Sequence, residues 1–133
     1  MNSGTNDMAA LIGRILLAVI FIISGFGKIT GYDATAGYMA AKHLPMVSVL
    51  LPLTILTELG GGLALAAGFK ARWVALLLAG FTLLAAIIFH DFWAADAASK
   101  MNQQINFMKN VAIAGGMLMV FAFGPGRLSV DKA

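Results

Sequence analysis

The chain has 133 residues, 60% of them hydrophobic and 11% charged, with a formal net charge of +3 and no cysteine. Ordinary soluble domains carry about 25% charged residues, so this composition belongs to a protein that faces hydrocarbon. The lack of cysteine excludes disulfide exchange, thiolate attack and Cys-ligated metals within the chain, and the small, scattered positive charge excludes a nucleic-acid surface.

Met1 to Asp7 is polar and expected to fray. The first apolar segment covers about residues 8–29, with Arg14 near its start and Lys28 near its end, and is long enough to cross about 30 Å of hydrocarbon. A cleaved signal peptide would need a basic n-region and a small-residue cleavage site. No Lys or Arg precedes Arg14, and Ser24 to Lys28 is not such a site, so the segment reads as a retained span.

Gly31 to Met46 is a connector, with Tyr32 and Tyr38 as interface anchors and Asp33 as the cap of a short surface helix through Ala41, ended before Pro45. The second span, about 47–69, has Pro52 in its first turns and Thr57-Glu58-Leu59-Gly60-Gly61-Gly62 at its middle. Lys70 and Arg72 then form a very short basic turn, which predicts an antiparallel hairpin with the third span, about 73–89. His90, Asp91 and Trp93 follow. In the polar stretch 94–106, Met101, Ile105 and Met108 recur at helical spacing, with Asp96 as a cap, and lead into the fourth span, about 107–123. Gly124-Pro125-Gly126 breaks that helix, and Arg127 to Ala133 is a polar tail. The expected fold is an all-α membrane protein, a four-transmembrane-helix antiparallel bundle forming one domain over residues 1–133.

Four spans put both termini and the Lys70–Arg72 turn on one side of the bilayer. That side holds five basic residues, Arg14, Lys70, Arg72, Arg127 and Lys132, against four on the other, Lys28, Lys42, Lys100 and Lys109. Cytoplasmic loops are the basic ones, so both termini are expected in the cytoplasm. Arg14, Lys70, Arg72 and Arg127 read as orientation signals, and Trp73 and Trp93 as belt residues.

Glu58 is the only acidic residue in the long apolar segments, and an ionisable group at that depth marks a functional site by default. Desolvation favours its neutral form, whereas a neighbouring cation, Lys28 or Lys109, favours the carboxylate. A charged Glu58 paired with Lys28 would be a structural latch; a neutral one would donate a proton or hydrogen bond to a ligand carbonyl.

Ser24 and Lys28, Thr54 and Glu58, Thr82, Ala86 and His90, and Asn106 and Asn110 each recur in steps of four, so four helices can aim polar or small stripes at one centre. A polar pocket open to one face follows. Gly60 to Gly62 and Gly115-Gly116 let backbones approach or leave room for a ligand. His90 beside Asp91 has the composition of a general base and its orienting acid, but adjacent helical residues diverge. Glu58, His90, Asp91 and His43 lack the close spacing of metal ligands, and no metal site is expected.

Gly13-Arg14, Gly25-Phe26-Gly27-Lys28, Glu58-Leu59-Gly60-Gly61-Gly62 with Gly68, and Asn110 with Gly115-Gly116 together resemble the DoxX family of small bacterial membrane proteins, from about Gly13 to Asp131. The resemblance implies a four-span inner-membrane protein, distantly similar to the DoxD subunit of thiosulfate:quinone oxidoreductase. The residues and the resemblance together suggest a small subunit of an oxidoreductase system that binds a quinone or another small apolar ligand. In that reading Glu58 and His90 are the catalytic candidates, and Lys28, Glu58, Gly61, Gly62 and Asn110 the ligand-binding ones. Electrons would come from a partner subunit, and the bundle would sit in the bilayer, alone or as a homo-oligomer. A small-solute or proton transport module and a non-catalytic assembly scaffold are the alternatives.

Overall fold

The computed structural model describes residues 2–132; Met1 and Ala133, the outermost residues of the two expected polar tails, lie outside the described residues. Helix α1 runs over Ser3–Thr30, α2 over Tyr32–Ala41, α3 over Val47–Ile55, α4 over Gly61–Ala67, α5 over Ala71–Phe89 and α6 over Lys100–Phe123. One π-helical turn, Leu56–Gly60, joins α3 to α4, and a 3₁₀ turn, Phe92–Ala94, follows α5. Four of the resulting helical segments are long and apolar enough to cross a membrane.

The N-terminus is more ordered than its polarity suggests. The Asn2 side chain accepts hydrogen bonds from the Thr5 N–H and hydroxyl, both at 2.8 Å, so the helix starts at Ser3 rather than at about Met8. With 28 residues α1 is about 42 Å long and projects past the hydrocarbon. The polar lead-in to the fourth span is likewise one helix with it. Asp96 accepts from the Ser99 hydroxyl at 2.6 Å and the Ser99 N–H at 2.9 Å, which hold its carboxyl below the usual range.

The second span is broken where the sequence is most unusual. Pro52 lies inside α3, lacking a ladder N–H, and the Thr57 hydroxyl donates back to the Leu53 carbonyl at 2.8 Å. Both weaken the α ladder just before the residues that wind as a π turn, with Glu58 at its centre.

Packing is mostly within two helix pairs, α1 against the π turn and α4, and α5 against α6, with α4 joining them along α5. Small residues set the separations. A Cβ on Gly25 would stand 2.8 Å from the Leu59 backbone nitrogen, and one on Gly62 would stand 2.9 Å from Ile22 Cγ1. On α5 the buried stripe Ala71, Ala75, Leu78, Ala79, Thr82 and Ala86 serves the same purpose. The core joins Ala18, Phe21, Leu65, Leu78, Ala114 and Met117. Leu16, Ile23, Leu56, Leu77, Ile87 and Met119 point outward, as spans wetted by lipid require.

At the end where the termini lie, Arg14 is buried at 3% exposure, contrary to its reading as a surface orientation signal. Its guanidinium donates to the Ala66 carbonyl at 3.2 and 3.3 Å, to the Leu128 carbonyl at 2.8 Å and to the Pro125 carbonyl. The polar tail is therefore docked. The Asp131 carboxylate accepts from the Lys70 and Ala71 N–H groups at 2.9 and 2.8 Å, capping α5, and Val130 and Asp131 donate to the carbonyls of Ala67 and Gly68. Gly68 turns the chain with φ +73°, and Ser129 fills the space its side chain would occupy.

Candidate functional site

The opposite half of the bundle holds a partly open cavity of about 710 Å³. Phe21, Ser24 and Lys28 of α1 form one wall, and Leu50, Thr54 and Glu58 of α3 and the π turn form the next. Phe81, Thr82, Ala85, Phe89 and His90 come from α5 and its exit, and Lys109, Asn110 and Ile113 from α6. The first two sets recur at three- or four-residue spacing, and those of α5 and α6 add adjacent residues at Phe81–Thr82, Phe89–His90 and Lys109–Asn110, so each covers one face of its helix.

The polar centre is the Lys28–Glu58 pair, Nζ to Oε1 at 2.8 Å. Glu58 is 3% exposed, held by the π turn at its closest approach to α1, where Gly25 admits Leu59. Lys28 also donates to the Ser24 hydroxyl, one turn earlier on α1, at 2.8 Å, so its ammonium bridges α1 and the π turn. Lys109, the other candidate cation for Glu58, instead reaches the Asn106 side chain at 3.3 Å.

His90 and Asp91 take different partners. His90 Nδ1 is 2.9 Å from Gln103 Oε1, and Asp91 accepts from Lys42 Nζ at 2.9 Å. They do not form a base with its orienting acid. Asn110 donates to the Thr82 carbonyl at 3.3 Å, and the buried Thr82 hydroxyl has no partner. Among the described residues no three His, Asp or Glu side chains converge.

Lys28, Glu58, His90 and Asn110 thus line one cavity, whereas Gly61 and Gly62 do not. A Cβ on Gly61 would meet Leu78 at 3.1 Å and one on Gly62 would meet Ile22, so these glycines seat α4 against α5 and α1. Sequence reasoning missed the roof. Ala34, Thr35, Tyr38 and Met39 of α2, with Leu44, partly cover the cavity at the end away from the chain termini. Nothing in the sequence marked them, since the helix is too short to show an apolar face and its buried residue, Met39, is known only from the fold.

The DoxX family profile matches residues 9–91, which is more than half of the chain and includes Lys28 and Glu58. The inner membrane protein YqjF of Escherichia coli (strain K12) is 48% identical over 126 residues, covering 95% of this chain and 92% of that one. The inner membrane protein YphA of the same organism is 38% identical over 122 residues, covering 92% and 87%. A more distant likeness, 24% over 120 residues, is to the ER-derived vesicles protein ERV29 of Saccharomyces cerevisiae (strain ATCC 204508 / S288c), of which the match covers 32%. No solved structure matches. Four spans, a family match over the first three of them and two near-full-length inner-membrane relatives make this chain a multi-pass inner-membrane protein of the DoxX family.

Proposed function

We propose that the cavity binds a quinone, or another small apolar molecule with a polar head, and that the chain serves as a small subunit of a membrane oxidoreductase system. The observation that carries this reading is an apolar-walled cavity of about 710 Å³ with a buried carboxylate, paired to a half-buried ammonium, in its wall. Such a combination suits a ligand with a ring and one or two carbonyl oxygens. Quinone reduction couples electrons to protons. Glu58 and His90 are the groups able to carry a proton, and Lys28 and Asn110 are donors for a carbonyl oxygen. Electrons would come from a partner subunit, since the chain has no cysteine and no cofactor motif.

The test is a titration of a short-chain ubiquinone into purified protein. Glu58→Gln keeps the shape but removes the charge, and loss of a charged hydrogen-bond partner is expected to weaken binding about tenfold or more. A variant that folds and binds like the parent removes Glu58 from the ligand site. The 2.8 Å Lys28–Glu58 pair also favours a second reading, the structural latch, under which Glu58→Gln costs stability and leaves affinity alone.

We further propose that both termini face the cytoplasm. Lys70, Arg72, Arg127 and Lys132 flank that face, while Lys28 and Lys42 on the other are neutralised by carboxylates. Ala98→Cys, exposed in the connector before α6, would be the chain's single thiol. In intact cells it is expected to react with a membrane-impermeant maleimide added outside; labelling only after permeabilisation would reverse the orientation.

A further inference from the structure

We infer that α2 is a hinged lid over the cavity, held shut by the Lys42–Asp91 ion pair and by Tyr38 seated on Phe89, and that its displacement opens the way in from the membrane surface. The inference does not depend on which molecule fills the cavity. α2 supplies Ala34, Thr35, Tyr38 and Met39 to the cavity wall, so moving it exposes the interior from above.

Its helix is broken from the spans at both ends, although Gly31 still donates to the Gly27 carbonyl and accepts from the Thr35 N–H. Gly31 alone separates it from α1, with non-helical φ −111° and ψ 41°. Beyond its C-terminus, His43 and Met46 have φ of 60° and 54° and flank Pro45, so no hydrogen-bonded ladder continues into α3. Rotation about these two short connections moves ten residues as one body.

α2 also packs on α1 and α3 with Met39 buried, but its fastenings to α5 are weak and lie at one edge. Lys42 Nζ and Asp91 Oδ1 are 2.9 Å apart, but the two side chains are 25% and 30% exposed, and water competes for an ion pair of that kind. The Tyr38 ring stacks on Phe89 with centroids 5.5 Å apart, and its hydroxyl reaches the Phe89 carbonyl at 3.4 Å, the long limit of a hydrogen bond. Compared with the Lys28–Glu58 pair beneath it, this edge can open without stranding a buried charge.

The cysteine-free chain allows a direct test. Thr54→Cys places one thiol on the cavity wall beneath α2, and the protein in lipid nanodiscs is treated with a small, charged, water-soluble thiosulfonate. Reaction is expected to be slow. Adding Asp91→Asn should speed it about three- to fivefold, the range of an exposed ion pair, and the charge-swapped combination Lys42→Asp with Asp91→Lys should return it toward the parent rate. Ile113→Cys, on another wall, repeats the measurement if Thr54→Cys does not fold, and Ala98→Cys should react at one rate in every background. An unchanged rate with Asp91→Asn, or a swapped pair as fast as Asp91→Asn, overturns the lid.

Discussion

Lys28→Met is expected to lower the stability of the folded bundle by about 3–5 kcal/mol, because it leaves Glu58 buried without its counter-charge. Glu58 is 3% exposed and belongs to a π turn packed on α1, so its short side chain cannot turn its carboxylate outward as Lys28 can turn its ammonium. Glu58→Met should cost less. The Lys28 side chain is 26% exposed, keeps Ser24 as a partner and can turn its ammonium outward. The double variant Lys28→Met with Glu58→Met should recover most of the loss, since a buried ion pair often contributes little beyond an apolar replacement. Reversible unfolding in mixed micelles measures all three. Equal costs for the two single variants would mean that the pair is not held against α1 as described.

Arg14→Met should be nearly as damaging, on the order of 3 kcal/mol, because three carbonyls lose a charged donor that nothing else replaces. Those carbonyls belong to Ala66 at the end of α4 and to Pro125 and Leu128 in the tail, so the variant unfastens the tail as well as weakening the helix packing. Trypsin cleavage after Arg127 is expected to quicken about tenfold or more as the local opening energy falls. Arg14→Lys keeps the charge but lacks the planar fork that reaches separate acceptors, and should behave like Arg14→Met. Retention of the parent's protease resistance in both variants would show that the tail is held by Asp131, Val130 and the Arg127–Asp7 contact without Arg14.

The spans and the gathering of Lys28, Glu58, His90 and Asn110 were legible because hydropathy and four-residue spacing are local properties of a helix. What they touch was not. Arg14 and Lys70 look alike in sequence, yet one is enclosed by carbonyls from residues more than 50 positions away and the other lies at a turn. Gly60, Gly61 and Gly62 were legible as small but not as packing against particular side chains. The distinction depends on which neighbour Leu78 or Ile22 happens to be, a pairwise fact that periodicity does not encode. The lid was the least legible part, since only the fold brings Lys42 to Asp91 across 49 residues.

Docking of the tail also fixes an order of events during synthesis. Arg14 enters the membrane with the first span, but the carbonyls of Pro125 and Leu128 that enclose it, and the Asp131 carboxylate that caps α5, emerge after all four spans have been made. Until then Arg14 has only the Ala66 carbonyl of the second span among its acceptors, and the first turn of α5 has its N–H groups uncapped. This end of the bundle therefore sets only after translation has passed residue 131, while the Lys28–Glu58 pair can form as soon as the second span is in place.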